Sequence, residues 1–161
     1  VVHPWHGAGI VIDVQTKSIG ETSHAYYVID TAARSMRVMV PVQRAEALGL
    51  RPVGDAAELR AELEQCAGEP PVDPGSTDLR VRQANMRDSL KSGQFATVLQ
   101  VVAVLRLLSG RRPLGTIDRQ LFDQGKEFLA SELALASDVR FADAMQDVEA
   151  VLARVVGDSE G

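Results

Sequence analysis

Val1-Val2-His3-Pro4-Trp5-His6-Gly7-Ala8-Gly9-Ile10-Val11 sets the fold class of this chain. It is a β-type run broken by Pro4 and Gly7, and it begins a series of short strand-like segments. Ala8–Val14 is apolar with little interruption, and Gly20 lies in a polar turn after Thr16-Lys17-Ser18. Ala25–Ile29 is aromatic and β-branched, as strands prefer. Met36–Val40 alternates, with Met36, Val38 and Val40 on one face and Arg37 and Met39 on the other. Pro41 stops it, because proline cannot donate to a sheet ladder. Three or more short strands in about fifty residues predict a small, strongly bent sheet or barrel, whose edges suit pairing with a partner's strand. The chain opens without an initiating methionine, so residues upstream are expected.

From residue 55 the period changes to that of helices. Asp55 is placed to cap Ala56–Cys66, where Leu59 and Leu63 lie four apart on one face. Residues 68–76 hold three of the seven prolines, which predicts a linker and a domain boundary there or slightly before. Beyond it, Thr77 or Asp78 can cap a helix running to about Ser92, with Gly93 as its stop. Phe95–Leu108 is apolar on nearly all sides, which marks the buried centre of a bundle, and Ser109-Gly110 reads as its end. Thr116 reads as the cap of a helix with Ile117, Leu121, Phe128 and Leu129 on its apolar face. Ser137-Asp138 reads as the cap of the last, where Phe141, Met145, Val148, Leu152 and Val155 recur. The expected class is α+β. A small barrel spans 1–54, a helix and Pro/Gly-rich connection 55–76, a compact four-helix domain 77–157 and an acidic tail 158–161.

Composition agrees with a globular protein, at 45% hydrophobic and 24% charged residues. The longest apolar run, Val101 to Leu105, is far too short for a membrane span, and no secretory leader is read in these residues. A lone cysteine, Cys66, excludes an internal disulfide and suits a reducing compartment, so a cytoplasmic location is expected. The net charge of −5 is unevenly spread. Arg80–Arg119 carries eight basic residues against two acids, and the residues after it carry nine acids against three bases. That asymmetry fits either a phosphate-facing patch or two ordinary solvated helix faces.

Chemistry-bearing patterns are weak. His3 and His6 form an H-x-x-H, but a zinc site needs two more ligands, and only Cys66 and His24 remain as soft donors. No metal and no cofactor are expected. Gly7 and Gly9 lack the third glycine and following helix of a nucleotide fingerprint. Cys66 has no histidine partner of the kind that activates a thiolate. Nothing argues for an active site, and a non-enzymatic protein is expected.

The pattern Val1, Val2, Pro4, His6, Gly7, Gly9, Val11 resembles the opening of the CarD/CdnL family of bacterial transcription regulators. Its N-terminal module recurs in the transcription-repair coupling factor, from which the second domain distinguishes this chain, so that factor's helicase domains are not expected. Val38-Met39-Val40-Pro41, Lys91-Ser92-Gly93 and Ser131–Ala136 resemble later family segments in the same order, with 55–78 the least similar region. The resemblance implies a Tudor-like, SH3-like barrel that binds the RNA polymerase β subunit by strand pairing. It also implies a helical domain that touches promoter DNA at the upstream edge of the melted bubble and modulates open-complex stability. A monomer is expected.

Carried over by position, Lys17, Arg37, Val38, Met39 and Val40 become the polymerase-binding set. Met39 stands where relatives usually have arginine, a departure for which either Arg37 on the same face substitutes or the docking is weaker. Leu79 falls where relatives wedge a tryptophan into the minor groove, and it either takes that role or packs into the bundle. Arg80, Arg82 and Arg119 are the candidate phosphate contacts. Gln83 and Ala84 stand where the family favours basic or aromatic residues, so the DNA surface is reduced. An adaptor that binds polymerase with little or no DNA contact is the alternative. In the opening stretch, His6 and Gly7 read as barrel-building residues, and Pro4 and Gly9 as bend and close-approach positions.

Overall fold

The computed structural model describes residues 1–69 and 78–155. Most of the Pro/Gly-rich connection, and the acidic tail, lie outside the described residues. The chain has the expected α+β arrangement. Strands β1 (Val2–His3), β2 (Gly7–Ile19), β3 (Thr22–Thr31) and β4 (Arg37–Pro41) form an antiparallel sheet in sequential order. A 3-10 turn at Val42–Arg44 follows, and then α1 (Ala56–Gly68), α2 (Leu79–Leu90), α3 (Phe95–Arg111), α4 (Thr116–Ser137) and α5 (Phe141–Ala153).

β2 is longer than its apolar run, because Thr16-Lys17-Ser18 continues the strand and the turn is Gly20-Glu21. Gly20 has φ 63°, the conformation a two-residue hairpin loop needs at its first position. A register shift between Val11 and Asp13 marks a bulge that bends the sheet. Gly9 is a close-approach position: a Cβ there would lie 2.7 Å from the Asp30 carbonyl oxygen. Pro4 is buried, with Gly49 and Gly93 against its ring. His6, by contrast, is exposed and builds none of the barrel interior.

The barrel's own core is small, with Ile29, Val40 and Ala45 packed by Val11, Tyr27, Val38 and Leu50. The main core is helical and takes in Val2 and Ala8 from the barrel. It also takes in Leu59, Leu63 and Cys66, so α1 belongs to the helical layer and not merely to a connection. The Ala8 N–H donates to Ser131 Oγ at 2.9 Å, which in turn donates to the Phe128 carbonyl at 2.8 Å.

Arg51 completes the junction. Its main chain bridges to Val2, and its guanidinium clasps Glu132 through Nη1–Oε2 at 2.8 Å and Nη2–Oε1 at 2.5 Å. Its Nε donates to the Gly93 carbonyl at 2.8 Å, while the Gly54 N–H donates to Glu132 Oε2 at 2.8 Å. Glu132 is fully buried, so its charge depends on these donors. One side chain thereby joins the barrel's exit, the α2–α3 turn and the middle of α4.

Glu62 stands beside this junction with a buried Oε2 that has no hydrogen-bond partner among the described residues. Burial first, then the Glu132 and Glu58 charges, push its carboxyl above its ordinary 4.5, although Arg51 opposes them. A carboxyl raised in the folded state favours folding when protonated and costs stability as pH rises through the shifted value. Glu62→Gln is therefore expected to stabilise the protein at neutral pH by about 0.5 kcal/mol, solvent screening keeping the effect small. The gain should vanish near pH 4, as read from denaturant midpoints at the two pH values.

Several helix ends differ from the sequence expectation. α3 runs through Ser109-Gly110 to Arg111, because the Ser109 hydroxyl bonds back to the Arg106 carbonyl at 2.6 Å instead of breaking the helix. Gly115 occupies the cap of α4, Thr116 is its first helical residue, and Ile117 is exposed. Asp138 terminates α4 in the left-handed region at φ 54°, a conformation aspartate tolerates, and α5 starts after Arg140. Asp55 and Asp78 cap α1 and α2 by accepting from the Glu58 and Arg80 N–H groups.

Candidate functional site

Two surfaces gather the candidate residues. The first is the outer edge of β4, which no strand pairs among the described residues. The Thr31 N–H donates to the Met36 carbonyl at 3.0 Å, so Thr31 and Met36 form a hydrogen-bonded pair. Antiparallel pairs alternate, and the main-chain groups of Val38 and Val40 therefore point to Ile29 and Tyr27 of β3. Those of Arg37 and Met39 point to the open edge. Pro41 falls on the same outward parity, so its missing N–H costs the β3 ladder nothing.

Side chains follow the same division. Arg37 lies opposite Asp30, Met39 opposite Val28, and Lys17 opposite His24. These β3 partners are an even number of residues apart, so Lys17, Arg37 and Met39 share one face, all exposed. Lys17 lies about 13 Å along the strand from Met39, at roughly 3.3 Å per residue. Val38 and Val40 face inward, Val40 fully into the barrel core. Within the expected polymerase-binding set they support the strand from beneath.

The second surface is the end of the bundle where α2 and α4 begin. Asp118 ties the two helix starts together, accepting from Arg82 at 3.1 and 2.8 Å and from Gln83 Nε2 at 3.2 Å. Burial alone would raise the Asp118 carboxyl. The Arg82 and Gln83 hydrogen bonds and the Arg82 and Arg112 charges outweigh it and hold the group below its ordinary 3.8. Arg82 is thus turned inward with its side chain 10% exposed, and its charge is spent on Asp118. It is not placed as a direct phosphate contact, because a guanidinium clasped on both nitrogens has little left for a second anion.

Arg80, in the first turn of α2, and Arg119, in the first turn of α4, are exposed. Leu79 is 53% exposed, which decides against packing into the bundle. By spacing it continues the buried stripe Gln83, Met86, Leu90, but it is the first residue of α2 and hangs off the bundle's end. Val81 and Ile117 are also exposed there, so an apolar tip sits among arginines. The sequence carried a signal for Val81, since Leu79 and Val81 are two apart and cannot both face one core. Arg112 joins the cluster through the end of α3, which sequence spacing did not connect to Asp118.

The histidines of the opening stretch pair with each other, their ring centroids 4.7 Å apart. Burial, then the His6 charge, push the His3 imidazole down. Among the described residues, no three His, Cys, Asp or Glu side chains converge as metal ligands would, and no helix is long and apolar enough to cross a membrane.

Residues 1–54 match the CarD-like/TRCF RID domain, and residues 69–149 match the CarD C-terminal domain. The chain belongs to the CarD family. A relative, named "Putative transcription factor YdeB", from Bacillus subtilis (strain 168), is 27% identical over 141 residues, covering 86% of this chain and 90% of that protein. Membership places this CarD-family chain among transcription regulators that interact with RNA polymerase. Both surfaces therefore lie within matched domains: the β4 edge and Lys17 in the first, and Leu79, Arg80, Arg82 and Arg119 in the second.

Proposed function

We propose that this CarD-family protein regulates transcription by docking its barrel on the RNA polymerase β subunit and setting the start of α2 and α4 against promoter DNA. The contact with DNA falls at the upstream edge of the bubble, where it alters open-complex stability. No catalytic step and no cofactor is involved. The observation that carries the docking is the open β4 edge, where Arg37 and Met39 direct both side chain and main chain outward. An extended strand of the polymerase can pair there, with Lys17 adding a charge farther along the same face. On the DNA side, Leu79 supplies an apolar wedge and Arg80 and Arg119 supply phosphate contacts, with Arg82 holding the helix starts in place.

A specific observation favours a second reading. With Arg82 turned inward and a net charge of −5, the DNA face is weaker than the expected set implied, which suits an adaptor that binds polymerase without touching DNA.

Retention on purified RNA polymerase tests the docking. Arg37→Glu is expected to weaken retention about tenfold, as loss of a complementary charge with introduction of a like one would. Met39→Pro should abolish it, because the lost N–H faces outward and the β3 ladder keeps its bonds. Unchanged retention in both variants would refute the docking. Arg80→Ala with Arg119→Ala should leave retention intact, shorten open-complex lifetime and reduce the salt slope of promoter association by about 2. No change in lifetime, with no added footprint upstream of the bubble, would decide for the adaptor.

A further inference from the structure

A cleft of about 640 Å³ among the described residues separates the barrel from α4, a volume suited to a long side chain or a small ligand. One wall is the β1–β2 turn and the β3–β4 loop, with Trp5, Arg34 and Met36. The other is α4, with Asp123, Gln124 and Glu127. The cleft does not depend on what precedes Val1. The Val1 nitrogen donates to the Gly9 carbonyl at 3.0 Å, and the Gly9 N–H donates to the Val1 carbonyl at 2.9 Å. Any earlier residues therefore follow β2, away from the Pro4–His6 turn that walls the cleft.

Its chemistry selects a cation. Of the Asp, Glu, Lys and Arg side chains that line it, one is basic and two are acidic. Asp123 and Glu127 lie four apart, on one face of α4. Trp5 is 63% exposed, and the Lys91 ammonium lies 5.0 Å from its ring, although Lys91 does not line the cleft. The indole is thus held from outside, and the faces of such rings attract cations. Arg34 shows the fit of a guanidinium: its Nη2 donates to Glu127 Oε2 at 3.1 Å, with 67% of the Arg34 side chain exposed. So exposed a pair is readily exchanged. Asp123 meets the Lys126 ammonium loosely, at 3.8 Å.

The cleft also adjoins the docking strand. Met36 lines it and by alternation shares the face of Val38 and Val40. A strand paired along Arg37 and Met39 would set its residue opposite Met36 on that same face, because directly opposed residues share a face. Its side chain is then directed at the cleft. We infer that the cleft receives an arginine side chain carried by the polymerase strand that pairs with β4. The guanidinium lies against Trp5 and takes Asp123 and Glu127 as carboxylate partners, displacing Arg34 from Glu127. Lysine fits less well, since its ammonium is a point charge that neither forks nor stacks. That the arginine comes from polymerase rests on the proposed docking, whereas guanidinium binding by the cleft does not.

Trp5 is the one tryptophan of the chain, so its fluorescence reports the cleft without a label. Titration of the full chain with N-acetylarginine amide should give a saturable change. The citrulline analogue, uncharged but of the same shape, should give none, and the lysine analogue should bind about threefold more weakly. Arg34→Ala should tighten binding of the arginine probe about threefold by freeing Glu127. Asp123→Asn with Glu127→Gln should weaken it about tenfold. On RNA polymerase, the same double variant should lose about fivefold in retention, and Arg34→Ala should gain about twofold. No saturable change with the arginine probe, or equal binding of the citrulline analogue, overturns the inference. So does retention indifferent to both cleft variants while Arg37→Glu and Met39→Pro weaken it, a result that leaves the docking standing. If Arg37→Glu and Met39→Pro have no effect, the docking fails, and the polymerase origin of the arginine fails with it, whatever the probe shows.

Discussion

Arg51→Ala is expected to lower stability by about 3 kcal/mol, and the melting temperature by about 10 °C, the largest single-site effect outside the apolar core. The reason is the state of Glu132, which is fully buried and has Arg51 as its salt-bridge partner. Among the described residues, truncation leaves that carboxylate with the Gly54 N–H as its hydrogen-bond donor and also removes the Arg51 bond to the Gly93 carbonyl. A buried charge stripped of its partner loses far more than the intact pair contributes. Arg51→Lys should fall between, because an ammonium keeps the charge but cannot make the forked contact or reach Gly93 at the same time. Arg51→Met with Glu132→Met should recover most of the loss, since neither charge is then stranded. A melting temperature for Arg51→Ala within about 2 °C of wild type would show that Glu132 does not depend on this contact. The junction also sets the angle between the β4 edge and the start of α2. On the proposed function, Arg51→Ala assayed below its melting temperature should keep polymerase retention and lose part of its effect on open-complex lifetime.

Arg82→Ala is expected to destabilise the helical domain by about 2–3 kcal/mol, in contrast to a negligible change for the exposed Arg80→Ala. Asp118 would remain largely buried with Gln83 as its remaining side-chain donor. The pH dependence follows from the depressed Asp118 carboxyl. A group whose folded value lies below its unfolded one contributes stability above the unfolded value, and that contribution is lost as pH falls through the folded one. The wild-type advantage over Arg82→Ala should therefore be constant near neutrality and shrink as pH falls below the ordinary 3.8. Chemical denaturation of both proteins from pH 7 downward measures it. Equal stability of Arg82→Ala and Arg80→Ala at neutral pH would mean that Arg82 is free for phosphate after all.

Much of the fold was legible because it rests on local rules. Strand alternation around Val38 and Val40, the β-branched run at Ala25–Ile29 and the caps at Asp55 and Asp78 all depend on neighbours within a few residues. The helix ends that differed depended on longer reach or on a competing local bond. Ser109 has a polar side chain that often breaks helices, but its hydroxyl folds back on the Arg106 carbonyl. Asp138 has the cap preference of aspartate, yet the same short side chain tolerates the left-handed turn that closes the preceding helix.

The candidate surfaces divide in the same way. The sequence by itself determined the module: the opening motif with its bend and close-approach residues, the alternation that places Arg37 and Met39 together, and the apolar stripes of the bundle. Only the tertiary structure decided which arginines are available. Arg80 and Arg82 are two residues apart and chemically identical, but α2 turns Arg82 onto Asp118, 36 residues away, and leaves Arg80 in solvent. It likewise decided that Leu79 overhangs the bundle and that Glu132 and Arg51 meet across 81 residues. Period and propensity specify the face a residue takes on its own element. Which charges meet across that face depends on where the elements end and how they pack, and the opening stretch acquires its fixed place against α4 only through that packing.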